Sequence, residues 1–175
     1  MYAIIRPFLQ LTLLQIGPQD LPASRTLLLI AAGAYAVVGT LVGLSFYAPP
    51  SAVAQTLAEL GVMALVVHLA LYLRGHPERF MQTYTGLAGI SAVLGTVALP
   101  LVHTVARGVP PSGETPVLAG LAYLLVLGWL LAAYGNVLRH ALSLQRLSFG
   151  VVLAMLYLVF TTALTEILLG AGLMS

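Results

Sequence analysis

Five apolar stretches of about twenty residues each, at 26–47, 53–73, 84–106, 117–138 and 148–173, fill most of this 175-residue chain. At ~1.5 Å of rise per residue, a helix of ~20 residues crosses the ~30 Å hydrocarbon of a bilayer. In lipid every backbone N–H and C=O must find its partner inside the protein, so stretches of this length are restricted to helices. The chain is 60% hydrophobic and only 7% charged, against roughly a quarter charged in a soluble domain. The expected fold class is an all-α membrane protein with five transmembrane helices. Its organisation reads as an interfacial cytoplasmic helix and turn over 1–19, followed by a five-helix transmembrane domain over 20–175. The connections are too short to hold a separate extramembrane domain.

The arginines fall in alternate gaps. Arg6 and Arg25 precede the first stretch, Arg74 and Arg79 follow the second, and Arg139 and Arg146 follow the fourth. Arg107 alone lies on the other side, offset by Glu114. Basic residues near span ends are retained in the cytoplasm, which predicts the amino terminus inside and the carboxyl terminus outside. Arg74, Arg79, Arg139 and Arg146 are the expected cytoplasmic anchors, meeting anionic lipid headgroups. Every basic residue is arginine and cysteine is absent, which removes Schiff-base lysines, disulfides, thiolate metal sites and thiol nucleophiles. A charge excess of +2, dispersed over the chain, is no nucleic-acid footprint. The Arg, Ala, Gly and Leu bias without lysine suggests a bacterial gene, hence a bacterial inner membrane. The expected partners are membrane lipids and other membrane proteins or a second copy, with no nucleic acid.

Residues 2–16 are apolar but short for a span, and no small-x-small cleavage site follows, so an interfacial helix is expected rather than a cleaved signal. Gly17-Pro18 ends it, and Asp20, Pro22 and Ser24 supply a turn that caps the first span. Pro49-Pro50 reads as a tight connection between antiparallel spans. The third span carries Gly86, Ala88, Gly89, Ser91, Ala92, Gly95, Thr96 and Ala98, small enough for neighbours to approach its backbone closely, and then Pro100, which leaves the Thr96 carbonyl unpaired. A central third helix, bent toward the outside, is expected. Gly39 and Gly43 form a GxxxG, and Gly128 with Ala132 a looser version. That spacing specifies close approach but not the partner, which could be another helix of the chain or a second copy.

Ionisable groups within a span are costly and mark candidate sites. Glu59, His68, His103 and Glu166 qualify. Counted from the outer ends of their stretches, Glu59 and Glu166 lie about 9 to 10 Å deep and His103 about 4 to 5 Å. Gln55 sits one turn from Glu59, and Thr162 one turn from Glu166 with Thr165 beside it. The candidate intramembrane polar cluster is therefore Glu59, His103, Thr162 and Glu166. One reading is an outward-facing polar cavity in which two carboxyls share a proton or bind a cation. The other is that two neutral glutamates bridge helices and stabilise the bundle. His68 and His103 differ in depth and make a poor axial haem pair, and no metal, nucleotide or nucleophile motif is present, so no cofactor, catalytic residue or enzymatic activity is expected. Asn136 reads as an interhelical hydrogen-bonder and Trp129 as packing.

The segment Arg79-Phe80-Met81-Gln82-Thr83-Tyr84-Thr85-Gly86-Leu87-Ala88-Gly89, running through small residues to Leu99-Pro100-Leu101, resembles the start of the third span of the YIP (Ypt-interacting protein) family. The resemblance covers roughly residues 20 to 173 and implies five spans, amino terminus inside and carboxyl terminus outside. Eukaryotic members are implicated in membrane trafficking and Rab association. Their long acidic cytoplasmic region is missing here, and Asp20-Leu21-Pro22 stands in place of their Asp-Leu-Tyr-Gly-Pro pattern, so Rab binding is not carried over. The resemblance implies a non-enzymatic protein that organises or scaffolds membrane components. The alternative from the residues themselves is a small transporter or proton-coupled permease using the intramembrane glutamates.

Overall fold

The computed structural model describes residues 2–106 and 117–173, with side chains at 5–106 and 117–167. Arg107 and Glu114 lie outside the described residues. Six α-helices account for almost all of these: α1 Tyr2–Thr12, α2 Arg25–Gly43, α3 Pro49–Leu73, α4 Phe80–Ala106, α5 Val117–Ala141 and α6 Leu147–Leu173. The last five are long and apolar enough to cross a membrane. No strand occurs among the described residues.

Helix ends differ from the hydropathy boundaries for identifiable reasons. Pro49 and Pro50, expected as connection, form the first turn of α3. A missing N–H costs nothing there, and the fixed proline φ already suits a helix. α2 ends earlier than its apolar stretch, at Gly43, and the chain turns through residues 44–48. Ser24 caps α2, its Oγ accepting from the Leu27 N–H at 3.4 Å, and the Gly17 N–H donates to Asp20 Oδ2 at 2.8 Å. The expected turn is thus held by the capping groups it was read from.

α4 is the central helix, packed against α1, α2, α3 and α5, while α6 lies against α3 and α5. Half of its most apolar window is buried, against 28% or less in the other four spans. The small residues explain this. A Cβ added at Gly95 would come within 2.8 Å of Val38 Cγ1 on α2, and one at Gly86 within 3.0 Å of Leu11 on α1. Gly89 leaves the space taken by the Phe8 ring. The GxxxG of α2 is used inside the chain, since added Cβ atoms at Gly39 and Gly43 would meet Thr56 at 2.9 Å and Ala52 at 3.2 Å on α3. Gly128 faces open space. α5 and α6 cross at a pair of glycines: the Gly150 position lies on the Gly135 carbonyl, and a Cβ at Gly135 would sit 2.8 Å from the Val151 nitrogen.

α1 has a protein-facing side. Phe8, Leu11 and Thr12 are buried, whereas Ile5, Leu9 and Leu13 are exposed. Its contacts reach Gly89, nine residues or about 14 Å along α4. Trp129 Nε1 donates to the Thr12 carbonyl at 2.9 Å, and Asn136 Nδ2 to the Ile16 carbonyl at 3.2 Å. Trp129 therefore does more than pack, and Asn136 bonds between segments as its type and position suggest.

Candidate functional site

α2, α3, α4, α5 and α6 enclose a cavity of about 510 Å³ that extends to the α2–α3 connection, where Phe46 and Tyr47 line it. The glycines that bring helices together also open this space, because Gly39, Gly43 and Gly95 present no side chain to it. Its walls are largely apolar, from residues such as Leu94, Val126 and Leu130, and its polar groups concentrate around Glu59. α3 begins at Pro49, so Glu59 is its eleventh residue, about 15 Å from the helix start and deeper than a count from Val53 gives.

Both carboxyl oxygens of Glu59 act as acceptors. Tyr35 Oη donates to Oε2 at 2.8 Å, and Gln55 Nε2 to Oε1 at 3.3 Å. The first bond ties α2 to α3; the second follows from the one-turn spacing along α3. No ion pair to Glu59 occurs among the described residues. A smaller space of about 110 Å³ adjoins the same carboxylate and adds Tyr157 and Thr161, with Tyr35, Tyr134 and Thr162 common to both cavities. Tyr134 is hydrogen-bonded to Ser91 and packs its ring on Tyr157 at a centroid distance of 5.7 Å. The site is thus one carboxylate with the phenols of Tyr35, Tyr134 and Tyr157 near it, in a largely apolar cavity that also presents Gln55, Thr56, Ser91 and Thr162.

Of the predicted cluster, Glu59 and Thr162 face this cavity together. Glu166 is exposed and bonds instead to Tyr47, whose Oη donates to its Oε1 at 3.3 Å. The two glutamates thus reach the cavity differently, Glu59 directly and Glu166 through a tyrosine on its lining. Thr165 is buried with its hydroxyl unpartnered. His103 is exposed near the end of α4 and lines neither space. His68, also exposed, packs edge-to-face on Phe80 at 5.5 Å. The residues missed from sequence are Tyr35, Tyr134 and Tyr157. For Tyr35 and Tyr157 the signal was position: tyrosines favour the ends of spans, and these two sit near mid-helix, where a hydroxyl needs a partner, whereas Tyr134 lies in the last third of α5 and gave no such signal.

The arginines gather at the opposite end from the α2–α3 connection. Arg79 Nη1 donates to the His140 carbonyl at 3.2 Å, the Ala141 carbonyl at 3.0 Å and Ser143 Oγ at 2.8 Å. Arg74 Nη2 donates to the Leu142 carbonyl at 3.2 Å. Arg79 thus satisfies the last two carbonyls of α5 and Arg74 the one just beyond them, and both complement the negative end of its dipole. Arg139 donates to Asn136 Oδ1 at 3.2 Å, and Arg146 is exposed. Along the segment from Arg79 to Thr85, Gln82 Nε2 donates to the Leu21 carbonyl at 2.7 Å and Tyr84 Oη to the Leu60 carbonyl at 3.2 Å. The polar residues of that segment therefore fasten the α1–α2 connection, α3 and the end of α5 to the start of α4.

Comparison with protein-family models, with curated proteins and with solved structures found no match.

Proposed function

We propose that this chain is a small integral membrane protein, in a bacterial inner membrane with its arginine-bearing end cytoplasmic, whose interhelical cavity takes a cationic or protonatable solute. The observation that carries the reading is Glu59: a carboxylate with donors on both oxygens, no basic partner among the described residues, and a cavity of about 510 Å³ beside it. A lone negative charge among apolar helices is costly, and a cation or a proton relieves the cost. The two compete for one carboxylate, and that competition is the elementary requirement of a proton-coupled permease. The phenol rings of Tyr35, Tyr134 and Tyr157 add faces that attract an organic cation, and the apolar walls suit its hydrocarbon body.

The test is equilibrium binding of tetraphenylphosphonium, with triphenylphosphine oxide as the neutral comparator, to the purified full chain in detergent. The expected result is cation binding that drops at least tenfold in Glu59→Gln, with expression and thermal stability retained. Equal binding of the neutral probe, or an unchanged affinity in Glu59→Gln, would sink the reading.

A second reading, organisation of membrane components in the manner of the YIP family, rests on the segment from Arg79 to Thr85 acting as the junction of the arginine end. It predicts a membrane protein that co-purifies in fixed stoichiometry and is lost on altering the exposed residues Arg25 and Arg146.

A further inference from the structure

Where the α1–α2 connection, the start of α4 and the end of α5 meet at the arginine end, a pocket of about 210 Å³ is lined by Gln19, Arg79, Gln82, Thr83, His140 and Ser143. Thr83 is 1% exposed, and its hydroxyl has no hydrogen-bond partner. Of the other buried threonines, Thr12, Thr56, Thr85 and Thr161 each donate to the carbonyl four residues back, and Thr165 alone shares the lack of a partner but lines none of the pockets described here. An orphaned hydroxyl at the wall of a polar pocket points to something that sits there.

The backbone acceptors in this corner are already engaged, which leaves the Gln19 and Gln82 amide oxygens as acceptors on the lining. Arg79 covers the His140 and Ala141 carbonyls, and Gln82 covers those of Gln19 and Leu21. The His140 ring is saturated as well, with Nδ1 at 2.8 Å from the Asn136 carbonyl and Nε2 at 3.1 Å from Arg139. The donors that converge on it are the Thr83 hydroxyl, the Ser143 hydroxyl, whose oxygen accepts from Arg79, and the second amino group of the Arg79 guanidinium. The charges nearby are Arg74, Arg79 and Arg139 against Glu78, which lies 3.8 Å from Arg79 Nε, and Asp20, whose carboxylate is engaged by the Gly17 N–H. The first turn of α4 adds the positive end of a 27-residue helix. Water occupies ~30 Å³ per molecule, so the pocket has room for a phosphoryl group and several waters.

We propose that this pocket binds a phosphoryl anion, held by the Arg79 guanidinium and the Thr83 and Ser143 hydroxyls. Two sources present that chemistry at a membrane surface, the headgroup of an anionic phospholipid and free phosphate. The site is independent of the Glu59 cavity and stands whether or not a cation binds there.

The test is thermal unfolding of the purified full chain in a zwitterionic detergent, with phosphatidylglycerol, with phosphatidylcholine and with inorganic phosphate, for wild type, Thr83→Val and Ser143→Ala. Without added anion, Thr83→Val should be as stable as wild type or more so, because a methyl replaces an unpaired hydroxyl. For wild type the midpoint should rise with the bound anion, since a ligand for the native state stabilises it by mass action. A rise with phosphatidylglycerol but not phosphate identifies a lipid site, and a rise with phosphate identifies the free anion. Either rise should require at least tenfold more ligand in Thr83→Val and in Ser143→Ala. No rise with either anion, a rise with phosphatidylcholine equal to that with phosphatidylglycerol, or rises in both variants equal to wild type would overturn the proposal.

Discussion

Tyr35 and Glu59 are 24 residues apart in sequence and share a 2.8 Å hydrogen bond between adjacent helices. Hydrogen bonds to a charged acceptor contribute about 1.5–3 kcal/mol, so Tyr35→Phe should lower stability by roughly that amount in the wild-type background. In a Glu59→Leu background the sign should reverse. The tyrosine hydroxyl is then the orphan, and removing it should be neutral or stabilising. Chemical denaturation of the four proteins of this cycle checks the claim, and a Tyr35→Phe cost that is the same in both backgrounds would show that the pair is not coupled. Glu59 was legible in the sequence because a carboxylate in an apolar run stands out by charge alone. Tyr35 was not, since a tyrosine inside a span reads as packing until the helix across from it is known. Thr162 was placed beside Glu166 by helical spacing, yet it faces the Glu59 cavity: residues one turn apart share a side of a helix only approximately, and what each meets depends on the neighbouring helices.

The glycines differ in what stands opposite them, and this sets how each element responds to a side chain. At Gly128 nothing lies within 4 Å, so Gly128→Ala should be neutral or stabilise by about 0.5–1 kcal/mol, the helix-interior advantage of alanine. At Gly150 the obstacle is the Gly135 backbone, which cannot rotate away, and Gly150→Ala should cost about 3 kcal/mol or prevent the α5–α6 pair from forming. Thermal midpoints in one detergent give the ranking, and a Gly150→Ala protein as stable as Gly128→Ala would contradict the close crossing. The crowding of the third span could be read from its run of small residues. The Gly135–Gly150 crossing could not, because neither glycine belongs to a GxxxG, and only their meeting gives them meaning. Helix ends show the same division. Gly75, at φ +74°, follows α3 as a glycine should, whereas α5 is followed by Ser143 at φ 55°, a left-handed serine held by Arg79.

For the whole molecule, the five long helices were legible from hydropathy, and the alternation of arginines predicts which end faces the cytoplasm. A cysteine at the exposed Gln145 should be protected from an impermeant thiol reagent added to intact cells, and one at the exposed Ala48 should react. The native chain contributes no thiol background, and the reverse pattern of labelling would invert the orientation. What the sequence left open was the use of the arginines inside the fold, because a residue count locates Arg74 and Arg79 in a loop without saying that α5 ends against them. It equally left open where α1 docks. That docking bears on how the protein is made. α1 is synthesised before every helix it touches: Phe8 waits for Gly89, and the carbonyls of Thr12 and Ile16 wait for Trp129 and Asn136, 117 and 120 residues later. Until α4 and α5 have left the ribosome, the nascent segment has no binding site, and its attachment comes late in assembly, locking together helices inserted earlier.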